Sequence, residues 1–482
     1  MPLFLTPEKL ASLSPQAQEI ILALVSYYEA CRETLEAQIA ALQTENATLR
    51  AEIAALKKTP QNSSLPPSTQ HPHARPQRPE PQSKLKRGGQ PGHAKHARPL
   101  IPTTQCQEVQ VLHPPSCRGC GRTLRGTDAQ PLRHQVWEVP EIVPHVTEYQ
   151  RQRLRCVCGV VTCAALPAGV PASQAGPHLV ALVAFLMGCF RQSKQRVALF
   201  LEQVLGQPCS PGWVVKLQWH ATAALQPAYT ELVQQLPTQA QLNIDESPTK
   251  EQNQSAWLWT FVAASFTVFA QRTTRAATVL VELLTPKYQG VITCDRAKMY
   301  WFLPYLQWCW AHLKRDFQAL IDSGNGQAKH LGHALMKQTK ELFRLGKRVR
   351  DGTLTHAGMK RHMKPIRQQI DALLLRGIFS GNARLHGRCR ELYDHRVRLW
   401  TFLDHPGLEP TNNAAERALR HPVIWRKLSF GTQSQHGSRF VETMLTIIET
   451  CRQQSKNSWA FLTQTMEAHY AKKTPPSLLS GV

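Results

Sequence analysis

The chain has 482 residues, too many for one compact core and a length that fits about three domains plus extensions. Its 57 Lys and Arg outweigh 33 Asp and Glu, a formal charge of +24, which favours a polyanionic partner, nucleic acid ahead of an anionic membrane surface. The longest apolar run, 179–190, is about half the ~20 residues of a spanning helix and reads as a core helix, so no membrane role is expected.

The opening segment, MPLFLTPEKLASLSP, carries acid and proline where a signal peptide needs a basic start and a long apolar stretch. Thirteen cysteines, an odd number in a long chain, fit reduced thiols in a cytosol, with a metal site for some of them. From 21 to 56 the pattern is heptad. Ile21, Tyr28, Leu35, Leu42, Leu49 and Leu56 fall seven apart, and Val25, Ile39 and Ile53 share the second seam position with Arg32 and Asn46. This predicts a coiled coil within an N-terminal region 1–58, with the seam Asn setting register in a parallel dimer. The alternative is a helix whose seam packs on a neighbouring domain.

Residues 57–99 hold nine prolines and nine Lys/Arg against one acid and bury too little to fold alone. Segment 59–102 therefore reads as a basic, Pro-rich linker, either contacting phosphates or merely solubilising. From 103 to 170 short β-like runs, EVQVLH and RHQVWEVPEIVPHVTEYQRQRLRC, accompany two cysteine pairs. Cys117 and Cys120 have C-x-x-C spacing, Cys156 and Cys158 the less usual C-x-C, and a glycine follows each pair. Four such thiolates predict a small β module built like a zinc ribbon, with zinc in a structural role and Cys163 able to replace a member of the second pair. Ordinary cysteines are the alternative. Residues 171–238 read as all-helical, and the break at 208–211 before GWVVKLQWHATAAL is compatible with helix-turn-helix.

At 241 the pattern changes again. QLNIDESP reads as a short strand ending in Asp245, WLWTFVAAS and FTVFAQRT as two more strands, 276–284 as a helix, and Val291 to Cys294 as a buried strand ending in Asp295. Three antiparallel strands and a crossover helix into a fourth predict an α/β, RNase H-like sheet in which the first and fourth strands are neighbours. Asp245 and Asp295 then sit side by side, and two carboxylates so close resist ionising together unless divalent cations lie between them. Oxygen ligands select magnesium or manganese. A basic helical stretch, 326–403, reads as an insertion that divides this domain into 239–325 and 404–465 and leaves a tail at 466–482.

The third carboxylate lies in EPTNNAAERALRHPVIWRKLSFG. If this run is helical, Glu416 is one turn after Asn412 and Asn413 and one turn before Arg420. Asn413 three residues before Glu416 also fits a capping box, in which the glutamate only reaches back to a free N–H. Arg417, Arg420, Arg426 and Lys427 are candidate phosphate contacts or a solvated basic face. His312, three residues after Cys309, is set outside the catalytic group as a core residue.

NNAAERALR with WRKLSFG, CWAHLKRDF, the two aspartates, the coiled coil followed by NSSLPPS, GGQPGH and the cysteine pairs together resemble the transposase of the insertion-sequence family 66 type. The likeness runs in order along nearly the whole chain. It implies a DDE transposase with Asp245, Asp295 and Glu416 as catalytic, metal-holding carboxylates on two magnesium or manganese ions, a zinc module before a helix-turn-helix segment, and a helical insertion before the glutamate. It implies DNA as partner, both element ends and target, a homodimer or higher oligomer through the coiled coil, room for helper proteins, and a bacterial cytoplasmic, nucleoid-associated location. Three positions depart from the family pattern: Ser247 in place of threonine, Arg296 in place of glycine, and the C-x-C pair. A DNA-binding repressor or dead copy, and an RNase H-like nuclease that cuts without joining, are the competing expectations.

Overall fold

The computed structural model describes residues 10–56, 98–323 and 325–479. Among these, 10–56, 150–199 and 209–479 belong to one compact unit, and 98–149 with 200–208 to a second. Most of the expected linker lies outside the described residues.

Helix α1 (Pro15–Leu56) is unbroken over 42 residues, about 63 Å at 1.5 Å per residue. Tyr28, Leu35, Ile39, Leu42, Leu49 and Ile53 are all exposed along it, so those seam positions are not packed on other described residues, while Ile21 and Val25 are half-buried.

In the smaller unit, Cys117 N–H donates to Arg122 O and Gly121 N–H to Cys117 O, closing a knuckle braced by the Ser116–Thr123 bridge. The other cysteine pair sits in the larger unit, in the turn between β1 (Arg153–Arg155) and β2 (Val161–Cys163), where Gly159 N–H donates to Cys156 O. Cys163 pairs with Arg153, at the end of this hairpin away from that turn. The further strands expected between 107 and 152 do not form among the described residues. Pro140 and Pro144 lack ladder donors, and Val136, Val139, Val143 and Val146 stay exposed, so neither backbone nor side chains favour a sheet there.

The larger unit is built on a mixed five-stranded sheet, order β5-β4-β3-β6-β7. Strands β3 (Gln241–Glu251) and β4 (Gln254–Val262) are antiparallel and joined through Gln252 and Asn253, at φ 50° and 61°, the left-handed pair of a tight hairpin turn. β4 pairs with β5 (Thr267–Arg272), and α5 (Thr278–Leu284) crosses to β6 (Val291–Cys294), which runs parallel to β3 and is followed by parallel β7 (Leu306–Trp308). β3 and β6 are thus neighbours. Asp245 does not end its strand, as the sequence had suggested. The hairpin with β4 carries β3 on to Glu251, beyond the apolar residues that mark its buried half.

Helices α2 (Pro177–Gly188), α3 (Lys194–Leu205) and α4 (Pro211–Gln234) precede the sheet, with Ser210 Oγ capping α4 by accepting Trp213 N–H at 3.2 Å. α4 is not a detached module. It packs on α2 and α13 (Gln435–Gln453), and Tyr229 donates its hydroxyl to Phe269 O of β5 at 3.0 Å. α13 closes the β5 edge. Thr450, Thr446 and Glu442, four residues and about 6 Å apart on the helix, accept the N–H groups of Thr267, Phe269 and Gln271 at 3.1, 2.9 and 2.8 Å. Two-residue steps on the strand are nearly as long, so helix and edge keep register and the free donors are satisfied.

After β7 comes α6 (Trp310–Ile321), then α7 (Gly326–Arg350), α8 (His356–Ile378), α9 (Ala383–Asp394) and α10 (Val397–Trp400), the first three of this set opened by Asn325, Thr355 and Asn382 side-chain caps. α11 (Asn413–Ala418) and α12 (Arg420–Ser429) return the chain to the sheet. Gly431 ends that return at φ 101°, where a Cβ would fall 2.5 Å from Lys250 O of β3. The final helix, α14 (Ser458–Tyr470), runs past 465, and Leu478 beyond it is fully buried. No helix among the described residues is long and apolar enough to cross a membrane.

Candidate active site

The parallel register of β3 and β6 pairs Asn243 with Thr293, so Asp245 and Asp295 each follow two residues further along adjacent strands. Asp295 lies just past β6, where its Oδ1 accepts Ala297 N–H at 2.8 Å and its Oδ2 is 3.8 Å from the Arg275 guanidinium. Asp245 is half-buried, and desolvation pushes its carboxyl well above the usual range. The charges of Glu246, Asp295 and Glu416 push it further in the same direction. Against them stands the Glu246 N–H, which Asp245 Oδ1 accepts at 3.0 Å.

Glu416 is brought to this site by its helix start. Asn412 caps α11 from a buried position, its Nδ2 donating to Ile244 O of β3 at 2.7 Å while its Oδ1 accepts from Asn243 at 3.1 Å. Its backbone N–H donates to Cys309 Sγ at 3.1 Å, and Pro410 O accepts Trp310 N–H, so α11 is stitched to both β3 and the start of α6. The capping box does not form. Glu416 Oε1 is buried without a hydrogen-bond partner, 3.7 Å from His312 Nδ1 and 3.6 Å from the Arg315 guanidinium. His312 Nδ1 is likewise buried and unpartnered. Burial lowers its pKa, Arg315 lowers it further, and the charges of Glu416 and Asp295 oppose both.

Glu246, absent from the expected group, is the best-held carboxylate here. Its side chain is 1% exposed, pairs with Arg275, and accepts the Tyr300 hydroxyl at 2.5 Å. Burial and then Asp295 raise its pKa, while Arg275 and Tyr300 oppose the rise. Arg275 thus links Glu246 to Asp295 while lying over the Trp257 ring.

Two departures noted in the sequence acquire local reasons. Arg296 pairs with Asp316 of α6 at 2.5 Å and Glu391 of α9 at 2.9 Å, tying the helical insertion to the residue beside Asp295. Ser247 Oγ accepts from Arg426 at 2.9 Å, so that guanidinium is turned onto β3 rather than to solvent. Arg417, Arg420 and Lys427 are exposed, with Arg420 opening α12 after a junction at Leu419. An open cleft of about 460 Å³, lined by Lys314, Arg315, Gln318, Phe343, Thr411 and Asn413, lies beside Glu416.

Sequence reasoning placed Asp245, Asp295 and Glu416 together but left out Glu246, Arg275, His312 and Arg315. The signal for His312 was present in the Cys309-x-x-His312 spacing at a helix start.

Residues 172–439 match the family model described as transposase IS66 family, over more than half of the chain. The chain belongs to the transposase IS66 family. In this IS66-family chain a second match, to a family of unknown function, covers residues 12–99. It is similar to two uncharacterized proteins of Sinorhizobium fredii. One, y4qI, is 29% identical over 168 residues, 33% of this chain and 30% of that protein. The other, y4hP, is 24% identical over 392 residues, 72% of this chain and 69% of that protein. The chain thus spans under a third of the first relative's length.

Proposed function

We propose that this IS66-family protein is a DNA transposase that cleaves the ends of its element and joins them to target DNA, with Asp245, Asp295 and Glu416 as the DDE carboxylates on an RNase H-like sheet. The observation that carries the reading is the juxtaposition of acids at Asp245: both aspartates follow two residues after the paired Asn243 and Thr293, and the charges of Glu246, Asp295 and Glu416 add to the desolvation that raises the Asp245 carboxyl. Such a group of carboxylates fits divalent cations, and the orphaned Glu416 Oε1 fits the same need. Asp245, Asp295 and Glu416 would hold two magnesium or manganese ions, which supply Lewis acidity at the attacking and leaving oxygens of a phosphodiester.

The chain's own groups do the rest. Asn412 and Asn243 hold the glutamate helix against β3, and Arg275 and Tyr300 fix Glu246 beside the aspartates. Arg417, Arg420 and Lys427 present charge to the DNA backbone; Arg426 serves chiefly to anchor α12 on Ser247. The exposed seam of α1 supports pairing with a second copy as a coiled coil. Cys117 with Cys120, and Cys156 with Cys158, would each offer a thiolate pair to structural zinc. In each pair the partner cysteine lowers the first thiol's pKa, for Cys117 through the Cys120 N–H and for Cys156 through the Cys158 N–H, which suits thiolate ligands.

The test is cleavage and strand transfer on labelled element ends with added magnesium or manganese. Asp295→Asn and Glu416→Gln should each abolish both steps and leave DNA binding within a few fold. Cleavage by both variants at the parental rate rejects the assignment, and cleavage without joining replaces transposition by a nuclease.

A further inference from the structure

We infer that Cys309, His312 and Glu416 form a mixed sulfur, nitrogen and oxygen site for a borderline divalent transition metal such as zinc, cobalt or iron(II). The inference deepens the proposed function and rests on it only where Glu416 also serves cleavage. Cys309 Sγ, an imidazole nitrogen of His312 and a Glu416 oxygen all lie within 4.8 Å of one another.

The contact between His312 Nδ1 and Glu416 Oε1, at 3.7 Å, is too long for a hydrogen bond. Both atoms are nevertheless buried without a hydrogen-bond partner, an arrangement that is unfavourable when nothing fills it. Ligand atoms about 2.0–2.3 Å from a shared tetrahedral ion stand about 3.3–3.8 Å apart, so the trio, now within 4.8 Å, would draw together by up to about 1 Å to supply three ligands.

The backbone is already arranged for this. Cys309 is the N-cap of α6 and His312 sits in its first turn, the C-x-x-H step of many metal knuckles. Asn412, the N-cap of α11, donates its N–H to Cys309 Sγ, and Glu416 lies one turn further on. One sulfur therefore joins the two helix starts that carry the other ligands; burial pushes its thiol up to about 11, and the Asn412 N–H opposes that rise. On binding, the Cys309 proton leaves to solvent and the sulfur's freed electron pair is shared with the ion. Among the described residues Arg315 is the guanidinium paired with Glu416, and it borders the open cleft into which it can turn.

Sulfur and imidazole ligands discriminate against magnesium. The position at Glu416 would thus differ in metal preference from one made by the aspartates alone.

The probe is cobalt(II), titrated into the full chain and followed by its thiolate charge-transfer absorption. Cysteines elsewhere contribute a background common to every variant. In Cys309→Ser a discrete part of the band should vanish, and His312→Gln should weaken cobalt binding at this site by at least about 10-fold, the loss that even an outer-shell partner causes. Spectra and affinities equal to the parent overturn the site. Should these variants fold poorly, cobalt-soaked crystals of the parent decide: an anomalous peak between Sγ, Nδ1 and Oε1 upholds the site, and a peak on the aspartates alone overturns it. Asp295→Asn lies outside the trio. If it keeps the cobalt band yet cleaves DNA normally, the proposed DDE reading fails while this site stands. If it loses cleavage while Cys309→Ser and His312→Gln bind cobalt normally, this site fails and the DDE reading stands.

Discussion

Two carboxylates, one on strand β3 and one on the helix that closes β5, are surrounded in opposite ways. Glu442, 1% exposed on α13, faces donors: it accepts Gln271 N–H at 2.8 Å and pairs with Arg439 at 2.6 Å and Arg272 at 3.5 Å. Burial still raises its pKa, but Arg439, Gln271 N–H and Arg272 oppose the rise. Asp245 faces acids, and Glu246, Asp295 and Glu416 all add to what burial imposes. The first arrangement holds a helix to a strand. The second resists ionisation, so the company each acid keeps separates the holding role of Glu442 from the chemical role proposed for Asp245.

Exchanging the acids is the strongest way to break this contrast. Asp245→Asn should lower cleavage by at least about 10³-fold, the scale of losing one member of a catalytic group. Without metal, the same variant should melt higher than the parent. Because the folded pKa of Asp245 is raised, its contribution to stability is complete below the unfolded pKa and is lost as pH rises through the folded one. Melting followed against pH in chelator should therefore show a smaller loss for the variant on going from acid to neutral; parallel curves would reject the repulsion described at Asp245.

Glu442→Ala should do the reverse. It orphans the Gln271 N–H and takes the carboxylate partner from Arg439, while Arg272 keeps Glu282, and urea unfolding should register a loss of about 3 kcal/mol, with cleavage per folded molecule near parental. A larger effect on cleavage than on unfolding would place Glu442 in the chemistry. Asn412→Ala sharpens the boundary between the two. Removing its bonds to Ile244 and Asn243 should cost about 1–2 kcal/mol, and the loosened Glu416 should slow cleavage by about 10-fold or more. Equal cleavage rates in a single-turnover assay would show that Glu416 does not depend on this cap.

The sheet was legible because its core strands are nearly continuous apolar runs. Val291–Cys294 could be bounded from the sequence, since all four residues are buried. β3 could not, because Asp245 looks like the end of an apolar stretch whereas the ladder with β4 continues through polar residues to Glu251. The carboxylates could be gathered from strand order and family motifs. His312 could not be placed, because its role depends on the approach of α11 to α6 across about a hundred residues, set by the Asn412 to Cys309 contact. The cysteine module was read as several strands from alternation alone, and alternation does not supply a ladder partner: among the described residues only β1 and β2 pair there.

The helix that fastens itself to β5 has an effect on the whole assembly. With Thr267, Phe269 and Gln271 spent on α13, and with Leu306 O of β7 accepting the Thr401 hydroxyl at the opposite rim, the sheet is hindered from recruiting a strand from another molecule. Amyloid-like growth through the sheet is thereby disfavoured, and the pairing of copies proposed for α1 is left to a surface that can let go again.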